Sequence, residues 1–157
     1  MMKNYAKGGG EYATKRTISM GTYAEKLLEN KLKNCSYIYT SATKRQELQL
    51  HYDYEIRNFL GYEMCKIEVK STKSPKRGKR PDISILFIEL KCVGGYPGWI
   101  YGKSDVIAFQ IRNNFVIFNR LNLLKYVEEN IPKMKICKKG GIKGTLYRRR
   151  NRNDLVA

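Results

Sequence analysis

The sequence predicts an α/β domain, and three observations do so. Apolar and polar residues alternate on both sides of Leu60-Gly61, the mark of paired half-buried strands. Tyr23, Ala24, Leu27, Leu28, Lys31 and Leu32 recur at helical spacing, with Lys31 the only polar member. Residues 82–92, DISILFIELKC, form an apolar run of strand length, which predicts a central strand.

The organising element is the stretch 51–71, HYDYEIRNFLGYEMCKIEVKS. A two-residue loop at Leu60-Gly61 would set Tyr52 against Val69, Tyr54 against Ile67 and Ile56 against Cys65 on one apolar face. Asp53 would then face Glu68, and Glu55 would face Lys66, on the other. A slip of one residue would send the apolar set to solvent, so the pattern supports its own register. Opposed residues have Cβ atoms roughly 5 Å apart. Two carboxylates so placed repel unless a positive group joins them, and Lys70 lies on the same face as Glu68. Hard oxygen donors of this kind suit a magnesium-type ion, which takes only one or two protein carboxylates.

Composition narrows the partners. The 157 residues carry 31 Lys and Arg against 14 Asp and Glu, a formal charge of +17. Such an excess repels itself unless it meets a polyanion, so nucleic acid is the first expectation and an anionic membrane surface the second. There is no run of about 18 apolar residues and no signal-peptide pattern, so the expectation is a soluble, intracellular protein without a membrane span. The four cysteines, Cys35, Cys65, Cys92 and Cys137, lack zinc-ligand spacing and read as reduced, structural thiols. His51 is the only histidine, which argues against Ser-His, Cys-His and histidine-metal chemistry. Carboxylates and lysine must carry any catalysis.

Taken in order, residues 1–18 read as a loose basic arm with a Gly8-Gly9-Gly10 run, and 19–157 as a single domain with a basic C-terminal segment. Thr22 with Glu25 has capping-box spacing at the start of the first helix. Glu25 is thus a cap or surface charge on one reading, and a residue reaching the metal face on the other. A short strand is expected at 35–40, and a loop or helical turn at 42–49. In residues 72–81, TKSPKRGKRP, Lys73, Lys76, Arg77, Lys79 and Arg80 surround two prolines and a glycine. This loop beside the carboxylates is a candidate grip on a phosphate backbone.

Residues 82–92 also contain a literal Pro81-Asp82…Glu89-Leu90-Lys91 match to a nuclease signature. On one unbroken strand Asp82 and Glu89 would stand roughly 23 Å apart and on opposite faces. The hairpin is therefore the preferred site, with Glu89 and Lys91 neighbours at most. Residues 93–109, VGGYPGWIYGKSDVIAF, offer Trp99 and Lys103 as candidate nucleic-acid contacts before a strand at 105–110, although Trp99 reads equally well as a core anchor. Asn113-Asn114 turns the chain into FVIF, and Asn122 is placed to cap a second helix. The closing YRRRNR, with Arg148, Arg149 and Arg150, is a candidate phosphate-binding run.

With helix, HYDYEI, IEVKS, IEL and GYPGWIYGKSDVIAF in this order, the chain resembles small phage-type nucleases of the PD-(D/E)xK superfamily, whose restriction-endonuclease-like members include Holliday-junction resolvases. The resemblance covers roughly residues 20–157 and rests on Asp53, Glu68-Val69-Lys70 and the Gly-Trp-Ile-Tyr-Gly segment. It departs at Tyr52, where the superfamily pattern has proline before the aspartate. The resemblance implies a restriction-endonuclease-like core, a mixed central β-sheet flanked by helices, in a nuclease domain. It also implies a Mg²⁺-dependent endonuclease, with Mn²⁺ able to substitute, acting on duplex or branched DNA inside a host cell. Asp53, Glu68 and the Val69 carbonyl would hold the metal, Lys70 would orient or deprotonate the attacking water, and Glu25 would complete the metal cluster. A homodimer is expected from the two-fold symmetry of resolvases and from the prevalence of such dimers. The alternative is a basic nucleic-acid-binding phage accessory protein without catalysis, which would not need Asp53 to face Glu68.

Overall fold

The computed structural model describes residues 15–35, 37–58, 60–73, 83–92, 94–137, 145–147 and 155–156. The chain divides into two compact units. One comprises Met1–Ser71 with Gly102–Arg120, and the other Thr72–Tyr101 with Leu121–Ala157.

The first unit is built on helix α1 (Lys15–Lys33), strand β1 (Ile38–Ser41), helix α2 (Lys44–Leu50) and the strands β2 (Tyr54–Arg57) and β3 (Glu63–Lys70). Helix α1 begins inside the expected basic arm. Thr22 lies in its third turn and caps nothing, because the stripe Ala24, Leu28 and Leu32 marks the buried face of the helix and not its end. Lys31 and Lys33 in the last turn complement the helix dipole. Helix α2 replaces the expected loop or helical turn. Thr43 and Gln46 close a reciprocal capping box at its start, and His51 ends it in the left-handed region at φ 53°.

The hairpin register in β2 and β3 is the one its alternation predicts: Tyr54 opposes Ile67, Glu55 opposes Lys66 and Ile56 opposes Cys65. The two-residue loop is a correction. Gly61 N–H donates to Asn58 O at 2.9 Å and Asn58 N–H to Tyr62 O at 3.1 Å, so the tip is a longer turn. Gly61 takes φ 84°, which glycine adopts without steric penalty. The Asn58 carboxamide oxygen accepts from the N–H groups of Leu60 and Tyr62, tying the tip together. The register shifts between Ile56 and Arg57, which opposes Glu63, so Met64 is an extra residue that restores the pairing.

In the remaining units of sequence, β4 (Glu89–Lys91), β5 (Val106–Ile111) and β6 (Asn114–Asn119) precede helix α3 (Arg120–Asn130). Three short strands follow: β7 (Lys135–Cys137), β8 (Thr145–Tyr147) and β9 (Leu155–Val156). The first unit's sheet has the order β1-β2-β3-β5-β6. It is mixed, since β3 and β5 run parallel while the other neighbours are antiparallel. Ala24, Leu28 and Leu32 of α1 pack on Tyr54, Ile56, Ile67, Val69 and Ala108 of this sheet. The apolar face of the hairpin is thus buried by the stripe of α1, the outcome both periodicities require.

In the second unit the strands lie in the order β4-β9-β8-β7. The long central strand expected at 82–92 is a second correction. Among the described residues of the run only Glu89–Lys91 is strand, and Ile83 and Ser84 form a turn, so the run is not continuous. Asp82 lies outside the described residues, and the one-strand geometry used against the literal motif loses its premise. Gly98 lies against β4: its N–H donates to Leu90 O at 2.9 Å, and a Cβ there would collide with the Glu89 carbonyl. Trp99 follows in a 3-10 turn and is 5% exposed, a core anchor and not a surface for stacking bases. Helix α3 starts at Arg120, so Asn122 lies within its first turn instead of capping it.

Candidate active site

Asp53 sits immediately before β2, where the regular pairing stops. Its N–H donates to Ile67 O at 2.8 Å, and its Oδ2 accepts from Val69 N–H at 2.6 Å. The side chain thus takes a ladder position that a strand carbonyl would otherwise fill. The expected rung Asp53–Glu68 is therefore not part of the regular β2–β3 register, which begins at Tyr54. The two acids are nevertheless electrostatically coupled. Burial pushes the Asp53 carboxyl up to about 7, the negative charge of Glu68 adds to this, and Lys70 and the Val69 hydrogen bond oppose it.

Glu68 is 4% exposed, and on its other side β3 sets it opposite Ile107 of β5. A carboxylate buried to this degree needs a charged partner, and the Lys70 ammonium supplies one by bonding to Oε1. Asp53, Glu68, Val69 and Lys70 therefore converge at one end of the hairpin, as expected from their sequence positions.

Helix α1 brings Glu25 toward this group. Tyr54 Oη donates to the Glu25 backbone carbonyl at 3.2 Å and so fixes the helix turn over the start of β2. The Glu25 carboxyl is raised by burial, by Asp53 and by Glu47, against the influence of Lys70 and Lys44. Glu47 and Lys44 are additions that sequence reasoning missed. Both belong to α2, which is held beside Asp53 by the hydrogen bond from Ala42 N–H to Asp53 O at 2.8 Å. Lys44 Nζ bonds Glu47 Oε2 at 2.6 Å, which holds the lysine's pKa up. The signal was the Thr43-Lys44-Arg45-Gln46 capping box, which announces a helix and hence a face for Glu47.

Among the described residues no three His, Cys, Asp or Glu side chains stand together at metal-holding spacing. Glu25 is thus a Coulombic neighbour of Asp53 and not a member of a ready three-acid cluster. In donor type, Asp53, Glu68 and the Val69 carbonyl remain a hard-oxygen set of the kind magnesium takes. Burial, and after it the charge of Glu68, makes the Asp53 carboxyl resist ionisation.

Of the candidate nucleic-acid contacts, Lys73 and Lys103 are exposed. Lys103 N–H donates to Leu50 O at 2.6 Å, anchoring the entry to β5 on the end of α2. Lys76, Arg77, Lys79, Arg80, Arg148, Arg149 and Arg150 lie outside the described residues. No described helix is long and apolar enough to cross a membrane. No family model, curated protein or solved structure matches the chain.

Proposed function

We propose that the chain is a metal-dependent endonuclease of the PD-(D/E)xK type that hydrolyses DNA phosphodiester bonds, with branched DNA such as a Holliday junction as its substrate. The observation that carries this reading is the convergence of Asp53, Glu68 and Lys70 at one end of the hairpin, with two coupled carboxylates beside one ammonium. A buried acid pair is costly for a fold to keep without a cation, and the formal charge of +17 supplies the attraction to a polyanion.

Asp53, Glu68 and the Val69 carbonyl would hold Mg²⁺, and Mn²⁺ would substitute. When bound, the ion supplies water of lowered pKa and neutralises charge on the phosphate oxygens. Lys70 orients the attacking water and stabilises negative charge gathering on the phosphate oxygens. Glu25 and Glu47 keep the surroundings negative and so favour the cation. Lys73, Lys103, the 76–80 basic residues and Arg148 to Arg150 contact the phosphate backbone. The setting this implies is a phage protein acting within its host cell.

A non-catalytic basic DNA-binding protein is the second reading. It is favoured by the Lys70–Glu68 ion pair, which neutralises one of the two acids without any metal. Incubation of the purified chain with Mg²⁺ and linear, nicked, flapped and four-way DNA, beside RNA counterparts, separates the two. Nicking of DNA that EDTA abolishes is expected, with the four-way substrate cut fastest. Intact substrates throughout would sink the enzyme reading.

A further inference from the structure

The turn between β5 and β6 keeps an arginine where the backbone favours glycine. Ile111 pairs with Asn114, so Arg112 and Asn113 alone form the loop, and Arg112 takes φ 56°. Positive φ at the first position only of such a loop marks a turn that normally places glycine there, since an L side chain crowds the backbone. His51, the other non-glycine residue with positive φ among the described residues, ends a helix, whereas Arg112 ends none. The turn is nonetheless held from two sides. Gln110 Nε2 donates to Arg112 O at 2.9 Å, and Lys31 Nζ donates to Asn114 Oδ1 at 3.4 Å. Lys31, the polar member of the helical spacing in α1, thus reaches the same turn as Arg112.

Lys33, Lys44, Arg57, Lys66 and Lys70 each pair with an acid. Arg112 and Lys31 are exposed and have no acidic partner among the described residues. Their turn also lies at the end of the sheet that carries the acidic centre. Strand β5 runs parallel to β3 with Phe109 opposite Lys70, so Arg112 stands three residues further on, roughly 10 Å at about 3.3 Å per residue. We propose that Arg112 and Lys31 form a binding site for one phosphate of the DNA backbone, flanking the acidic centre. The guanidinium offers paired planar donors to phosphate oxygens, and the ammonium adds a point charge. Phosphates of one strand follow each other at about 3.4 Å of helix axis, so the phosphate held lies about three nucleotides from the one beside Lys70. The strained turn is what a fixed guanidinium requires, since glycine would relax the loop and remove the donor. The position relative to the cut rests on the nuclease reading; the binding of phosphate does not.

The test is binding of a labelled DNA duplex by the full chain in EDTA, over a series of salt concentrations. The variants are Arg112→Gly, Arg112→Lys, Lys31→Gln and, as a control at an exposed position of α1, Lys26→Gln. Arg112→Gly is expected to melt at or above the wild-type temperature, because its turn relaxes. Its affinity nevertheless falls at least about fivefold, and the slope of log affinity against log salt shrinks by about 0.9, the loss of one phosphate contact. Lys31→Gln weakens binding in the same direction, while Arg112→Lys and Lys26→Gln keep the wild-type slope. An unchanged slope in Arg112→Gly, an equal loss in Lys26→Gln, a lower melting temperature of Arg112→Gly, or no duplex binding by the wild type would each overturn the proposal. A wild type that never cuts, with the slope lost in Arg112→Gly, leaves the phosphate site standing and removes the nuclease reading. A wild type that cuts, with the slope unchanged in the variant, does the reverse.

Discussion

The carboxylate of Asp53 accepts a 2.6 Å hydrogen bond from the backbone N–H of Val69, sixteen residues later on the facing strand. This bond fastens an acid to the neighbour of a second acid, Glu68, at the point where the β2–β3 ladder ends. The fold therefore holds the two charges near each other by backbone geometry, whatever their mutual repulsion.

Burial of Asp53, with that repulsion added to it, has a pH signature. The Asp53 carboxyl titrates near 7 in the folded chain against an ordinary 3.8, so the folded state keeps its proton when the unfolded chain has lost it. The Asp53 contribution to stability is full below about pH 4, is lost as pH rises through this window and levels off above 7. The whole effect is on the order of 4 kcal/mol at most. Asp53→Asn retains an acceptor for Val69 N–H and removes the charge. In metal-free buffer it raises the thermal midpoint at pH 8 and leaves it little changed at pH 4, as paired melts at the two pH values would read.

Lys70 neutralises Glu68, which has almost no access to water. Lys70→Met leaves that carboxylate buried and uncompensated, at a cost of about 3 kcal/mol in urea unfolding. The double variant Glu68→Gln with Lys70→Met recovers most of the loss. A double variant no more stable than Lys70→Met alone would mean that the lysine matters for packing and not for charge.

Gly98 tests the second unit. Its backbone lies so close to β4 that a methyl group would strike the Glu89 carbonyl, an atom that cannot swing aside. Gly98→Ala is expected to destabilise by about 2 kcal/mol, as overpacking against rigid neighbours does. A chemical-denaturation midpoint equal to the wild type would contradict this.

Much of the hairpin was legible because alternation encodes parity, and parity survives events at the tip. The rows Tyr54–Ile67 and Ile56–Cys65 are those the pattern requires, although the loop is longer than two residues. The turn removes one position from the register and the bulge at Met64 returns it, a cancellation that alternation cannot reveal. Burial of Ala24, Leu28 and Leu32 on the sheet was likewise written in their spacing. The start of α1 was not, because in residues 15–21, KRTISMG, the two large apolar residues Ile18 and Met20 do not stand at helical spacing. The run at 82–92 misled because apolarity reports burial and not extension. Ile88 and Leu90 are buried, yet only three residues there pair as strand. Glu47 and Lys44 of α2 escaped notice since a seven-residue helix is too short for periodicity to show. Trp99 could be read either way from its glycines, and what decides for the core is a contact, Gly98 against β4, that no local pattern carries.

The most direct test compares cleavage and binding of DNA by the wild type and Asp53→Asn. The account predicts Mg²⁺-dependent cutting by the wild type and a loss of at least about a hundredfold in the variant. Its affinity for the same DNA in EDTA should be unchanged or tighter, because one negative charge facing the phosphates is gone. Equal cleavage by the two proteins would contradict the assignment of Asp53 to the metal.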